Sequence, residues 1–543
     1  MTNLFEHIAA TGEKYANDVA LIANGGQGRS YSYAQLIELV KRFSSGLHNR
    51  GLLEKPEIGL LSENRPEWCI AYLSIVAAGG TVVPIDPNLT IEEITQLVNL
   101  GGLSTMVASS RFEAQLRQTA PHLQILGFDN PSNCHWESIF ASDSTSFTTL
   151  TNEVAVLIYT SGTTGSPKAV ELTHANLIAN LEGIRTSIRF GRGDIFLSVL
   201  PLHHTFESTC GFLTPLTSGA TVVYARSFKS KEILDDIRRN NITVMCGVPL
   251  LYEKMYHSIH RGIESASPVK RTLFKMFFAL SAIGWKLGMK WGRWLFRSLR
   301  VKAGLGSLRM FVSGGAAIPF HIARFFNLIG FDFLQGYGMT ECSPVISVHS
   351  PDEIEFGSVG RPLPNIEVCI HEEDIAGIGE IIVRGPSITG GYRGNPEKTA
   401  ELLHDGWLHT GDLGRFHNGH LWITGRKKNV IVSGAGKNIY PEELEERLME
   451  SDVVLEAIVF GRKRPTKLGE EIRAIIVPDL EELRFRGVDP KNPDGDLVRK
   501  IMEEVIVSVN ASMADFKRIE AFDVLMTELE KNASKKVKRF LYK

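Results

Sequence analysis

Short apolar runs alternating with helix-length stretches constrain this chain more than any other feature of it. The runs lie at residues 57–61, 81–85, 154–158, 221–224, 243–246 and 308–312, and the longer stretches at 33–49, 66–78, 91–98 and 231–240. Alternation of this kind predicts an α/β domain of mostly parallel sheets with flanking helices. From about residue 357 to 425 the texture changes to closely spaced strands at 366–370, 379–383 and 420–423, which predict a small β-barrel or antiparallel sheet. Beyond it, a helix at 441–451, strands at 453–460 and 472–477, a helix at 496–509 and a basic tail predict a smaller, mobile α+β domain. The expected division is 1–425 and 426–543, with a hinge near Lys428, because 543 residues exceed what one core holds.

Composition excludes several function classes. Lysine and arginine total 59 against 61 acidic residues, so the whole chain is no polycation and no nucleic-acid partner is expected. The six cysteines have no CxxC spacing, which points to a reducing compartment and away from a zinc site or a disulfide framework. No basic and then apolar leader opens the chain, so export by a signal peptide is not expected. The best uncharged window, 68–85, is broken by Gly79, Gly80, Thr81 and Pro84 and reads as helix, turn and strand rather than a membrane span. A cytoplasmic location follows.

Tyr159-Thr-Ser-Gly-Thr-Thr-Gly-Ser-Pro-Lys168 follows one apolar run and precedes a helix-like stretch near Thr173. Hydroxyls, two glycines and a lysine on a strand-to-helix turn offer N–H groups and a cation to phosphate oxygens. The spacing is not that of a P-loop, and a generic Ser/Thr/Gly loop is the competing reading. Three further motifs follow in order: Gly336-Tyr-Gly-Met-Thr-Glu341, Trp407-Leu-His-Thr-Gly-Asp412, and the long segment from Gly425-Arg-Lys-Lys to Tyr440-Pro-Glu-Glu-Leu-Glu445. Near the C-terminus stands Ser534-Lys-Lys-Val-Lys-Arg539.

Together these motifs resemble the adenylate-forming superfamily of acyl-CoA synthetases, luciferases and peptide-synthetase adenylation domains, over residues 31–539. The resemblance implies ATP, Mg²⁺ and CoA as cofactors. Thr160, Ser161, Gly162, Thr163, Thr164, Gly165 and Lys168 would cradle the β- and γ-phosphates. Tyr337 would face adenine, Thr340 the phosphates, and Glu341 would ligate Mg²⁺. Asp412 would accept both ribose hydroxyls, with Arg426 beside the ribose and α-phosphate. Lys428 would be the hinge, and Ser433, Gly434 and Gly436 one wall of a pantetheine channel. Lys536 would be the catalytic cation, although Lys535 stands where the family has glycine.

Two regions would line the acyl pocket in such an enzyme: Leu200-Pro-Leu-His-His-Thr-Phe-Glu207, through His204 and Phe206, and Val312-Ser-Gly-Gly-Ala-Ala317, through Gly314 and Gly315. Both resemble long-chain fatty-acyl synthetases, so a fatty acid:CoA ligase acting on medium or long chains is expected. The alternatives are a fatty-acyl-AMP ligase or acyl–acyl-carrier-protein synthetase, and a non-catalytic nucleotide-binding scaffold on a membrane. His203, His204 and Glu207 could be read as metal ligands, but adjacent histidines do not share a helix or strand face, and packing is the better reading. Finally, Lys286, Lys290, Arg293, Arg297 and Arg300 recur in steps of four and three, with Trp285, Trp291 and Trp294 nearby and no acidic residue between Ser265 and Phe331. One helix carrying that stripe would meet an anionic membrane through residues 269–302.

Overall fold

The computed structural model describes residues 3–542 apart from 130–134, 142–146, 148, 151, 162–166, 434–436, 464–468 and 532–536. The chain forms two compact units, Met1–Ile318 with Ile322–Val368 and Val383–Leu408, and Pro319–His321 with Cys369–Ile382 and His409–Lys543.

Two sheets organise the first unit. A six-stranded sheet runs in the order Gln124–Gly127, Thr105–Ala108, Glu57–Leu61, Thr81–Pro84, Val154–Ser161 and Pro167–Thr173. Every neighbouring pair in it is parallel except the last. A nine-stranded sheet is parallel through Asp332–Gly338, Met310–Ser313, Val244–Gly247, Ile195–Ser198, Thr221–Tyr224 and Val19–Ile22, with antiparallel strands at both ends. Strands such as Thr81–Pro84 and Thr105–Ala108 are buried at every position, the pattern of sheets covered on both faces. The helices begin where polar caps allow: Ser32 with Gln35 opens Tyr33–Asn49, and Thr173 with Asn176 opens His174–Ser187, each as a reciprocal capping box. Beneath the nine-stranded sheet, Tyr252, Phe311, Phe326, Phe331 and Phe333 form an aromatic core. A third sheet of five strands includes Glu367–His371, Gly379–Arg384 and Trp407–His417.

In the second unit, strands Val454–Lys463, Glu470–Pro478 and Ala521–Val524 form one sheet. Helices Pro441–Met449 and Gly495–Ala511 pack a core of Leu444, Leu448, Val459, Ile476, Val498 and Met502. The basic tail is pinned on both sides of residues 532–536. Lys531 bridges to Val537, and Arg539 pairs with the buried Glu445 and donates to the Val459 carbonyl at 3.1 Å.

The single basic stripe does not form. Helix Pro268–Lys286 ends before Gly288, whose φ is +72°, and two short helices follow at Gly292–Leu295 and Arg297–Lys302. Lys290 (2.6 Å) and Arg293 (2.5 Å) both grip Asp332, whose side chain is buried. Arg300 donates to the carbonyls of Gly330 and Arg293. Three of the five stripe residues thus neutralise or cap the protein itself, because a buried carboxylate without cations costs several kcal/mol, on the order of 3–5.

Candidate active site

The Ser/Thr/Gly segment is followed by a strand, not directly by the helix that its sequence suggests. Val154–Ser161 pairs antiparallel with Pro167–Thr173, and only then does helix His174–Ser187 begin. The alternation Ala169, Val170, Leu172 against polar neighbours explains the extra strand, since the apolar members are buried and Pro167 and Lys168 are not. Gly162, Thr163, Thr164 and Gly165, with the side chain of Ser161, lie outside the described residues. At the hairpin's base Thr160 stands opposite Lys168 and its hydroxyl donates to the Lys168 carbonyl at 3.4 Å.

Lys168 leads to a residue that sequence reasoning missed. Its Nζ lies 4.9 Å from the ring centre of Tyr392, and the Tyr392 hydroxyl donates to Glu341 Oε1 at 2.7 Å. Burial, and then the Glu341 charge, push the Tyr392 phenol far above its ordinary range, so it remains a donor at any working pH. Segment 389–393 is strapped down on both sides. The Glu171 N–H donates to the Gly391 carbonyl, the Arg393 N–H to the Ala169 carbonyl, and the Thr389 N–H to the Glu341 carbonyl. An aromatic residue in Gly390-Gly-Tyr-Arg-Gly394 is the only sequence signal that could have found it.

Thr340 and Glu341 sit in a single 3₁₀ turn just past strand Asp332–Gly338, with Glu341 buried and Tyr337 half-buried near the strand's end. The Thr340 hydroxyl is 3.3 Å from that of Thr205, which joins this turn to the 200–207 segment. A buried carboxylate beside hydroxyls is a hard oxygen set that suits Mg²⁺, an ion that takes one or two carboxylates and completes its shell with water and phosphate oxygens.

Phe206 and Gly314 are neighbours. A side chain on Gly314 would bring its Cβ to 3.1 Å from the Phe206 ring, so the glycine makes room for that ring. The exposed Gly315 follows with φ +84°. His203 and His204 stack at 4.1 Å, and His203 Nε2 lies 3.5 Å from Asp86. Burial alone would raise Asp86, but His203 and the Asn88 amide hold it down at about 2. Among the described residues no group of three or more His, Cys, Asp or Glu could hold a metal ion.

Glu207 begins a fully buried π-helical segment, Glu207–Leu213. Neither of its oxygens makes a hydrogen bond of regular geometry, and burial pushes its carboxyl up to about 8 despite the nearby Ser198 hydroxyl and the backbone at Leu200. It is therefore largely neutral at pH 7, and it does not offer the fixed negative charge that pairing with a substrate ammonium requires.

In the second unit Asp412 and Arg426 face each other across strands Trp407–His417 and His420–Arg426 and form a 2.8 Å ion pair, which aims Asp412 from a buried position. Beside them is a second carboxylate the sequence did not reveal. Glu380 accepts from Lys427 at 2.9 Å, lies 3.2 Å from His409 Nδ1 and accepts the Gly411 N–H at 3.1 Å. Burial would raise it, but Lys427 and His409 hold it below the usual carboxylate range. Lys428 is exposed in the short turn Lys427–Asn429. The Ser433 N–H donates to the Lys437 carbonyl, and the Lys437 N–H donates to the Ser433 hydroxyl. Gly434, Gly436, Lys535 and Lys536 lie outside the described residues.

The sequence pattern of the AMP-binding enzymes matches residues 8–393, and that of their C-terminal domain matches 443–536. The chain belongs to the AMP-binding enzymes. Within this family of AMP-forming acyl ligases it is 30% identical to the human long-chain-fatty-acid–CoA ligase 1, over 83% of this chain and 70% of that one. A chloroplastic long-chain-fatty-acid–[acyl-carrier-protein] ligase, AEE15 of Arabidopsis thaliana, is 27% identical over 91% of this chain and 78% of that one. ATP-bound MatB from Rhodopseudomonas palustris has the same fold, with a TM-score of 0.79 and 24% identity over 100% of this chain and 98% of its own.

Proposed function

We propose that this AMP-binding enzyme is an ATP-dependent fatty acid:CoA ligase that activates a medium- or long-chain carboxylate as acyl-AMP, releases pyrophosphate and forms acyl-CoA. The observation that carries the reading is the chain Lys168, Tyr392, Glu341 at the base of the Ser/Thr hairpin. A cation, a fixed donor and a buried carboxylate meet there next to the Thr340 hydroxyl. Mg²⁺ held by Glu341 supplies charge neutralisation between phosphate oxygens. Lys168 and the hairpin hydroxyls hold the β- and γ-phosphates, Tyr337 stacks on adenine, and Asp412, oriented by Arg426, accepts the ribose hydroxyls. Lys536 supplies the cation that offsets the repulsion between the carboxylate and the α-phosphate. Phe206 and Gly314 shape an apolar acyl pocket. For the second step the smaller unit rotates about Lys428, withdraws Lys536 and offers the Ser433 turn to pantetheine. The described cysteines are free, which supports a cytoplasmic location.

A protein-bound thiol as acceptor is the second reading, favoured by the likeness to an acyl-carrier-protein ligase. Pyrophosphate release and thioester formation, measured across acids of two to eighteen carbons with and without CoA, test both. We expect acids of about twelve to eighteen carbons to lead acetate in kcat/KM by at least about a hundredfold, because each buried methylene contributes about 0.8 kcal/mol before losses. Lys536→Ala should abolish acyl-AMP formation and spare thioester formation from supplied acyl-AMP. A preference for acetate overturns the long-chain reading, no thioester with free CoA moves the acceptor to a carrier protein, and equal loss of both half-reactions removes Lys536 from its role.

A further inference from the structure

Helix Pro268–Lys286 and the turn after it carry an apolar face that the enzyme's chemistry does not use. At 100° per residue the helix has three sectors. Phe274, Phe277 and Phe278 face the aromatic core, and Ser281 donates to the Leu328 carbonyl at 2.7 Å. On the next sector Val269, Leu273, Met276, Leu280, Ile283 and Leu287 recur in steps of four and three, all of them exposed, from 38% at Leu280 to 69% at Val269. Lys275 and Lys286, both exposed, lie beside the row on the side away from the core, while Lys270 and Arg271 are exposed in the helix's first turn.

This row is not ordinary scatter of surface leucines. Of the 24 large apolar residues exposed among the described residues, ten fall between Val269 and Val301, among them Trp294 at 80% exposure. A contiguous patch of that kind, over about 27 Å of helix, marks an interaction surface. No helix among the described residues is long and apolar enough to cross a membrane. The helix therefore lies along its partner, with its inner face kept on the protein.

We propose that the Val269–Leu287 row, with Lys275 and Lys286 beside it and Lys270 and Arg271 exposed in the helix's first turn, is the face by which this protein lies on an anionic lipid bilayer. Charge decides between lipid and a second copy of the chain. No acidic residue lies between Ser265 and Phe331, so a paired helix would bring lysines against lysines with no carboxylate of this segment to relieve them. An anionic headgroup layer satisfies those cations while its acyl region takes the leucines, and Trp294 sits at the boundary, where indole is favoured. The attachment surface is thus the outer side of this helix. Lys290, Arg293 and Arg300 are occupied by Asp332 and by carbonyls.

Flotation of the full chain with vesicles of phosphatidylcholine alone, or with about a third phosphatidylserine, tests this. The parent should float with the anionic vesicles and lose most of its binding as salt rises from about 0.1 to 0.5 M. The variant Leu273→Gln/Leu280→Gln/Ile283→Gln should bind at least about tenfold more weakly, as should Lys270→Gln/Arg271→Gln/Lys275→Gln/Lys286→Gln on anionic vesicles. Phe485→Gln, another exposed apolar residue, should behave as the parent. Should a multiple variant misfold, the single variant Ile283→Gln, on the same row, should still bind measurably more weakly than the parent. A parent that never floats, variants that float equally, or a parent dimer by light scattering that the leucine variant dissolves would each overturn the proposal. Because no readout depends on turnover, a failed ligase assay leaves this test intact.

Discussion

Glu341, Tyr392 and Glu207 differ in how far their neighbours in sequence reveal them. Glu341 follows Gly336-Tyr-Gly-Met-Thr340 and was singled out because that motif stands in an ordered series with the others. Tyr392 was not, because the 51-residue separation from its carboxylate partner is closed only by the pairing of segment 389–393 with strand Pro167–Thr173. Glu207 was visible as a carboxylate, but its protonation is a matter of burial. A carboxyl with an ordinary value of 4.5 in the unfolded chain and about 8 in the fold binds its proton more tightly when folded. Stability from this group is therefore full below about pH 4.5 and falls as pH rises to about 8, by an amount on the order of a few kcal/mol. Glu207→Gln should flatten that part of the curve. We expect thermal melts of parent and variant to agree near pH 5 and the variant to melt several degrees higher at pH 8. Parallel curves would mean that Glu207 is already ionised in the fold. Burial also raises the thiols of Cys69, Cys210 and Cys246, which keeps them unreactive.

At the scale of elements, runs of apolar residues located most strands, and 57–61 and 221–224 have the observed bounds. The strand after the Ser/Thr loop was hidden, because Lys168-Ala-Val-Glu-Leu-Thr173 leads straight into a helix cap. The basic stripe failed for the converse reason: a period of 3.6 presumes an unbroken helix, and Gly288 breaks it. One glycine controls the approach to the turn Thr340–Cys342. A Cβ on Gly338 would sit 1.9 Å from the Pro344 carbonyl oxygen, where strand Asp332–Gly338 meets Val345–Val348 beside Thr340 and Glu341. Gly338→Ala must push the two strands apart, at a cost of about 1–3 kcal/mol. We expect melting to fall by several degrees and pyrophosphate release to drop at least tenfold. A fully active Gly338→Ala would show that the turn tolerates the shift.

For the molecule as a whole, alternation along the chain predicted one large α/β part and a smaller α+β part, and contacts group the chain into two units with separate cores. If the smaller unit turns about Lys428, then Lys428→Pro, which fixes φ near about −65° and removes an N–H, should deny one of the two arrangements. Thioester formation should then fall at least tenfold while acyl-AMP formation changes by less than about threefold. Equal effects on both steps would place the pivot elsewhere. The sequence by itself determined the α/β class and the ordered series of motifs that carries the family, since each depends on local residue order or periodicity. Only the tertiary structure decided that Tyr392 binds Glu341, that Glu380 joins Lys427 and His409, that Glu207 is protonated, and that Lys290 and Arg293 turn inward to Asp332. These depend on burial and on pairings between residues tens to hundreds of positions apart, and chain closure, not local pattern, sets them.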